Sequence, residues 1–581
     1  MVHRALIALI STFALVASSP ALPSSVRAVG STTWVVALYD EIPNYEIGSQ
    51  CADPNYWADG ESRRGGDWEN GGGIGAYNSE EDAIQDAIDG AASGDTIYVC
   101  AGTYDFDAEV GGIPAGADIT IVGDGATETI FDGGGSTRLL NTDPNDRTDG
   151  GGTLTVRTLA IVDAGVGAFE NGGAIIADSI VLNDVVITGS RGAYNGGALY
   201  AEGDVAIVDS ELSDNRSSRD GAALYAWKSN ATTLIESSDF SDNQASNVAG
   251  AVIAGGDLTI SGTYFSNNES AGDGGAIINT ADDAVVIIEN SEFAGNTAGN
   301  IGGALVMQNL ERLEISGTLF SGNRAEDAFG GAMNIFNTEE VIITSSEFVE
   351  NEARGGDFGG NGNGGAIDAC NIDSFTSVSS RYVGNISTQY GGAIGLFGDG
   401  CFSPGTVSLR GNKFVGNSAT DHGGALWLSG TLTSMVGNRF EGNEAGVLGG
   451  AVFGGWWADE SLESQVIIRN TFIRNQAGGG GGALWLPGNI DRLTRNTFRA
   501  NSTGGSGGAI TISQIEGRVW RAISGNRILR NSASGNGGAF YLECSSLSRS
   551  ARSRLVTANQ LSGNRAYDDR RTSRIYQANV C

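Results

Sequence analysis

Three groups of residues in this sequence carry side chains able to do chemistry. The first is a set of carboxylates around one irregular stretch. The loop "EARGGDFGGNGN" (352–363) holds Arg354 and Asp357, and Asp368 follows on the next predicted strand. Two carboxylates brought together from adjacent coils can form an acid/base pair for work on a glycosidic bond, and Arg354 and Asp357 in the loop could meet Asp368 on the neighbouring strand. The second group is aromatic: Tyr200, Tyr225, Trp427, Phe453, Trp485 and Tyr541 recur at one position of a repeated phrase. Trp227, Phe336 and Phe397 stand at the next outward position. Large rings facing water are unfavourable unless covered or used, and sugar rings stack on such faces, so this row is the candidate glycan-binding surface. The third group, in "DPNDRTDGG" (143–151), gathers Asp143, Asn145, Asp146 and Asp149. Hard oxygen donors of this kind suit calcium, although Arg147 occupies what would be a ligand position in a helix–loop–helix calcium loop. No other cofactor is expected. His422 sits in a slot that other repeats fill with Asn, Asp, Ile, Phe, Tyr, Leu or Ser, which reads as a bland surface position.

The elements that must position these residues are stated by a repeat. The alanine of Gly-Gly-Ala recurs from Ala174 to Ala539 at spacings of 24 to 34 residues, averaging 28. Upstream of most copies sits an aromatic or aliphatic residue with asparagine three later, as in Phe293/Asn296, Phe320/Asn323 and Phe414/Asn417. From that asparagine to the next marker alanine the distance is eight residues in ten of twelve cases, whereas the rest of the unit varies. One rigid corner and looser arms are the signature of a solenoid. Glycine supplies positive φ and close backbone approach. Asparagine tolerates left-handed backbone, and its amide can bond to its counterparts one coil above and below. Apolar residues alternate after the alanine, giving strands with one buried face. Short strands in like-facing coils must pair in parallel. The sequence therefore predicts an all-β chain, a single-stranded right-handed parallel β-helix with three strands per coil. Roughly 16 coils from about residue 96 would make a rod of roughly 75 Å at ~4.8 Å per coil. The exposed first coil needs a cover, and "SEEDAIQDAIDGAAS" (79–93) predicts an N-terminal capping helix with Ala83, Ile84, Ala87 and Ile88 on its apolar face.

Residues 1–28 read as a secretory signal: a basic start, a 13-residue apolar core too short for a comfortable membrane span, and a small-residue cleavage site at Val26–Ala28. The remaining organisation is an N-terminal segment with the capping helix (29–95), the β-helix (96–566) and a C-terminal tail (567–581). Thirty-four basic against 68 acidic residues give a net charge of −34. Loss of Arg4 and Arg27 with the leader makes this −36, from −34 − 2. Such a chain should repel nucleic acid and anionic membrane. No transmembrane segment follows, and the chain reads as a secreted or cell-surface monomer meeting an extracellular glycan or cell-surface ligand. Six cysteines in an exported chain favour disulfides, in sequence order Cys51–Cys100, Cys370–Cys401 and Cys544–Cys581. For the middle pair, both cysteines fall on the same arm of adjacent coils, within disulfide reach.

Laid out this way, "FAGNTAGNIGGAL", "FVGNSATDHGGAL" and "FIRNQAGGGGGAL" closely resemble the polymorphic outer membrane protein repeat of chlamydial surface proteins, over about residues 169–566. The segment "AIQDAIDGAASGDTIYVCAGTY" with "ITIVGDG" also looks like the first coil of pectin-lyase-like β-helix proteins. The resemblance implies a secreted or surface-held passenger, commonly adhesive. Chlamydial members end in a membrane β-barrel, for which this sequence leaves no room before Cys581, so secretion or non-covalent attachment is expected. Many pectin-lyase-like proteins are polysaccharide lyases or glycoside hydrolases, and that is the alternative. Against it, polygalacturonase-like motifs are incomplete: "NTD" (141–143) and two "DD" pairs occur, but Gly-His-Gly and Arg-x-Lys do not.

Overall fold

The computed structural model describes residues 33–36, 84–85, 87–88, 91–106, 109–110, 117–142, 152–167, 170–355, 362–396, 405–428, 432–454, 465–486, 490–513, 522–542, 549–567 and 575–577. Its strands pair only in parallel, each with its counterpart about one repeat away. This is the expected parallel β-solenoid. Each regular coil carries four strands rather than three. The strand after Gly-Gly-Ala forms face A (Leu426–Leu428), the next forms face B (Arg312–Ser316), and the strand bearing the aromatic forms face C (Lys413–Val415). A two-residue strand after the asparagine (Ser418–Ala419) joins a separate sheet of 14. That ladder counts about 14 regular turns from Arg191 onward, and less regular coils from Thr96 precede it. The short strand was missed because two residues carry no alternation to read.

The asparagines explain the rigid corner. Asn323 donates from Nδ2 to the Phe293 carbonyl (2.8 Å) and to Asn351 Oδ1 (2.9 Å). Its own Oδ1 accepts from the backbone N–H and Nδ2 of Asn296, at 3.0 and 2.9 Å. All four hydrogen-bonding positions of the amide are thus filled in a site with no solvent exposure. The same bond links successive asparagines from Asn215 to Asn564 at 2.9–3.0 Å. The left-handed residue, however, is the one before: Asp242, Asn267, Gly295, Glu350 and Arg474 all have φ between 54° and 64°. A second ladder, Asn412, Asn438, Asn470, Asn496, Asn526 and Asn559, runs down the other bend of face C, where coils before Asn412 use Ser or Thr.

Between the two bends the aromatics stack inside the core. Ten rings from Phe240 to Phe498 lie 4.7–5.0 Å apart with planes within 15°. The paired glycines do different work. Gly302 sits at φ +64°, while a Cβ on Gly303 would lie 2.0 Å from the Gly331 carbonyl oxygen of the next coil.

At the N-terminal end, residues 84–85 and 87–88 are helical and Ile84, Ala87 and Ile88 are fully buried in the core; residues 91–93 of the expected capping segment are not helical, and its remaining residues lie outside the described ones. Thr33–Val36 pairs with Thr96–Val99, and at the other end Ile575–Gln577 pairs with Phe540–Leu542. An unexpected helix, Arg549–Thr557, occupies the face B position of its coil and buries Leu555.

Replacing Asn323 with alanine strands the Phe293 carbonyl and two Asn296 donors. Urea denaturation should show a loss of roughly 3–5 kcal/mol, against about 0.5 kcal/mol or less for Asn300→Ala, whose amide bonds an exposed Asp273 carboxylate. Equal losses at the two positions would mean that the ladder contributes nothing special.

Candidate functional site

The aromatic row lies on the outward side of face A, two residues after each marker alanine. Paired register places Tyr200 on Tyr225, and Gly395, Trp427, Phe453 and Trp485 in succession. The expectation that these rings stand in water fails for the later coils. Trp427, Phe453 and Trp485 are 4%, 1% and 6% exposed and form an outer apolar cluster with Tyr390 and Leu448. The residue before Gly-Gly-Ala does the covering. Tyr390 stacks on Trp427 at 4.9 Å, and His422 stacks on Tyr390 at 5.5 Å and on Phe453 at 4.6 Å. His422 is therefore a half-buried member of a ring stack, not a surface residue, and burial lowers its pKa. Sequence reading missed this because the covering position and the covered one belong to different coils.

Tyr200 and Tyr225 are only half-buried. Their rings are parallel, 4° apart in plane and 5.5 Å between centroids. Rings stacked between successive coils use their faces on each other and turn edges and hydroxyls outward. Trp227 is different: it is 50% exposed, and its indole N–H donates to the Tyr200 hydroxyl at 3.2 Å. Alongside, the Arg219 guanidinium lies over the Tyr194 ring at 4.7 Å and pairs with Asp220 at 3.3 Å. Tyr194, Tyr200, Arg219, Tyr225 and Trp227 thus make one aromatic patch rimmed by hydroxyls. Phe336 is 38% exposed elsewhere on the row, Tyr541 is half-buried, and Phe397 lies outside the described residues.

Of the candidate carboxylate group, Arg354 and Asp368 are described. Arg354 bonds Glu326 at 3.2 Å and Glu352 at 2.9 Å across the short-strand ladder. Asp357 lies outside the described residues. Asp368 occupies the outward row of face A between Asn334 and Gly395, at 2% exposure. Its Oδ2 accepts from Asn334 Nδ2 at 3.3 Å, while Oδ1 has no hydrogen-bond partner among the described residues and would touch a Cβ on Gly395 at 3.1 Å. Burial without a cation pushes its pKa up to about 7. The calcium candidates Asp143, Asn145, Asp146 and Asp149 lie outside the described residues. Among the described residues no three His, Cys, Asp or Glu side chains are placed to hold a metal. Cys100 and Cys370 are buried and disulfide-bonded; the other four cysteines lie outside the described residues.

Asp368 gives a pH signature of known sign. Its pKa is raised in the fold, so the native state holds a proton that the unfolded chain releases near pH 4. Its contribution is complete below pH 4 and is lost as pH rises through 7, about 4 kcal/mol in all. Asp368→Asn should abolish this loss and make the protein more stable than the parent at pH 8. Parallel denaturation curves for the two proteins from pH 4 to 8 would contradict the burial of a lone carboxyl.

The Chlamydia polymorphic membrane protein repeat model matches residues 262–280. No curated protein matches the sequence. Among solved structures, a mannuronic-acid-specific family 6 polysaccharide lyase from human gut microbiota aligns with TM-score 0.30 and 12% identity, over 83% of this chain and 89% of its own. A family 6 alginate lyase, AlyGC, gives 0.27 and 11% over 85% and 98%. The catalytic unit of a family 87 α-1,3-glucanase from Streptomyces thermodiastaticus strain HF3-3 gives 0.22 and 10% over 86% and 68%. Similarity at this level says nothing about activity. The repeat phrase and its stacking make this chain a parallel β-solenoid, and one stretch of it, residues 262–280, is similar to the Chlamydia polymorphic membrane protein repeat.

Proposed function

We propose that this protein is a non-catalytic adhesive rod, exported by its leader and either released or displayed at the cell surface, and that it binds an extracellular glycan. The observation carrying this reading is the exposed patch of Tyr194, Tyr200, Arg219, Tyr225 and Trp227 on a rigid coil stack. A half-exposed indole offers one stacking face to a sugar ring. The tyrosine hydroxyls and the guanidinium around it offer hydrogen bonds to sugar hydroxyls. The patch favours a terminal or branching sugar over a long chain laid along the row, because the stacked tyrosines present edges. A surface role agrees with the repeat family, and among the described residues no helix is long and apolar enough to cross a membrane.

The alternative, a polysaccharide lyase or glycoside hydrolase, has one observation in its favour: Asp368, buried with a pKa near neutrality. It would need that carboxyl opened to substrate and a second acid brought beside it.

Glycan-array binding followed by calorimetry distinguishes these readings. Trp227→Ala should weaken binding at least about tenfold, or ~1.4 kcal/mol, without loss of stability. Trp427→Ala should leave affinity intact while lowering stability by about 3–5 kcal/mol, because it empties a packed site. Unchanged affinity in Trp227→Ala would refute the patch, and release of reducing or unsaturated ends from a polysaccharide panel would establish the enzyme.

The export reading has its own check. Mass spectrometry of the natively produced protein should find a first residue after Ala28. Non-reducing peptide maps should show Cys51–Cys100, Cys370–Cys401 and Cys544–Cys581. Free thiols in the secreted protein would contradict an oxidising destination.

A further inference from the structure

The charge on face C is segregated along the rod. Take the seven residues from four before to two after the core aromatic or aliphatic of each coil, which cover the end of the face B strand, the face C strand and both of its bends. In the six coils centred on Leu212 to Phe348 they contain ten acids and no base: Asp209, Glu211, Asp214, Glu236, Asp239, Asp242, Glu289, Glu292, Glu347 and Glu350. In the next six, centred on Tyr382 to Ile528, they contain ten bases and one acid: Arg381, Arg410, Lys413, Arg439, Arg469, Arg474, Arg495, Arg499, Arg527 and Arg530 against Glu441. All are exposed or half-exposed, and the paired register of face C strands puts them on one continuous surface. The overall negative charge hides this stripe, which holds ten of the 34 basic residues.

Within the chain the two halves barely neutralise each other. Arg381 reaches Glu347 at 3.0 Å across the boundary, and Glu441 takes both Arg439 and Arg474. Among the described residues Arg410, Lys413, Arg469, Arg495, Arg499, Arg527 and Arg530 form no ion pair, nor do Asp209, Glu211, Asp214, Glu236, Asp239, Asp242, Glu292 and Glu350. Like charges repeated at coil spacing repel. At the boundary the second outward position of face C turns aliphatic, with half-buried Val349, Val383 and Val415.

We propose that a second copy of this chain docks antiparallel on face C, related by a two-fold axis between the coils of Phe348 and Tyr382. That operation sets each acidic coil against a basic one: Glu347 against Arg381, Glu292 against Arg439, and Glu211 and Asp214 against Arg527 and Arg530. The valines meet at the centre, so the contact has an apolar middle and charged flanks. Twelve coils at ~4.8 Å by a strip about 15 Å wide bury on the order of 800 Å² per copy, the size of a standard stable interface. A bound polyanion would use only the basic half and be repelled by the other; a second copy uses both. This dimer replaces the monomer expected from sequence and leaves the aromatic patch beside face A to its own ligand.

Sedimentation velocity on the full mature chain tests the proposal. A dimer is expected at low salt, dissociating as salt screens the pairs. Arg527→Glu with Arg530→Glu, and separately Glu211→Arg with Asp214→Arg, should each weaken dimerisation by about a hundredfold or more. Mixing the two variants in equal amounts should restore a dimer. Circular dichroism of these exposed-site variants confirms that both fold. A monomer at every salt concentration overturns the proposal, whether or not dextran sulfate binds the basic stripe. A species larger than a dimer, or a dimer indifferent to both charge reversals, also overturns it.

Discussion

Every feature of this molecule depends on one constraint, that identical groups must satisfy each other across a strand-to-strand step of about 4.8 Å. An asparagine side chain meets that demand unusually well, since its amide can both give and take in each direction along the rod. Buried at Asn323, it closes a corner that backbone pairing alone would leave with unsatisfied carbonyls. The phenylalanine beside it obeys the same step with dispersion instead of hydrogen bonds. The second glycine of the pair obeys it by having no side chain at all.

The constraint determines how much was legible. Residues that contact their own copies must recur, so the spacing of Gly-Gly-Ala and Phe-x-x-Asn revealed the solenoid, its corner and the direction of its strands. The two-residue strand and the Ser/Thr-to-Asn ladder were not read, because neither gives a pattern until coils are aligned in space. The left-handed position was misassigned by one residue. It accepts Asp, Asn, Gly, Glu or Arg because it faces outward, and that variety hides its shared backbone. The aromatic row was located correctly on face A but given the wrong surroundings. Tyr390 and His422 cover it from coils whose own phrases give no sign of doing so. Asp368 is buried on face A, while its expected companion Arg354 pairs with two glutamates instead.

Function therefore belongs to what varies on a scaffold that cannot. Outward positions of faces A and C are free of the self-contact rule, and it is there that aromatics gather over two coils and charge changes sign along twelve. A rod of this kind can carry separate surfaces on separate faces without compromise, since changing one outward side chain leaves the ladders beneath it intact.

The column of core rings has a dynamic consequence. A phenylalanine flips about its own bond only by sweeping its edges through the space above and below its plane. Here that space belongs to neighbouring rings 4.7–5.0 Å away on both sides. No ring between Phe265 and Phe472 can turn unless its coils part for an instant. Their flipping is then a measure of how often the rod stretches along its length, a motion that static packing conceals.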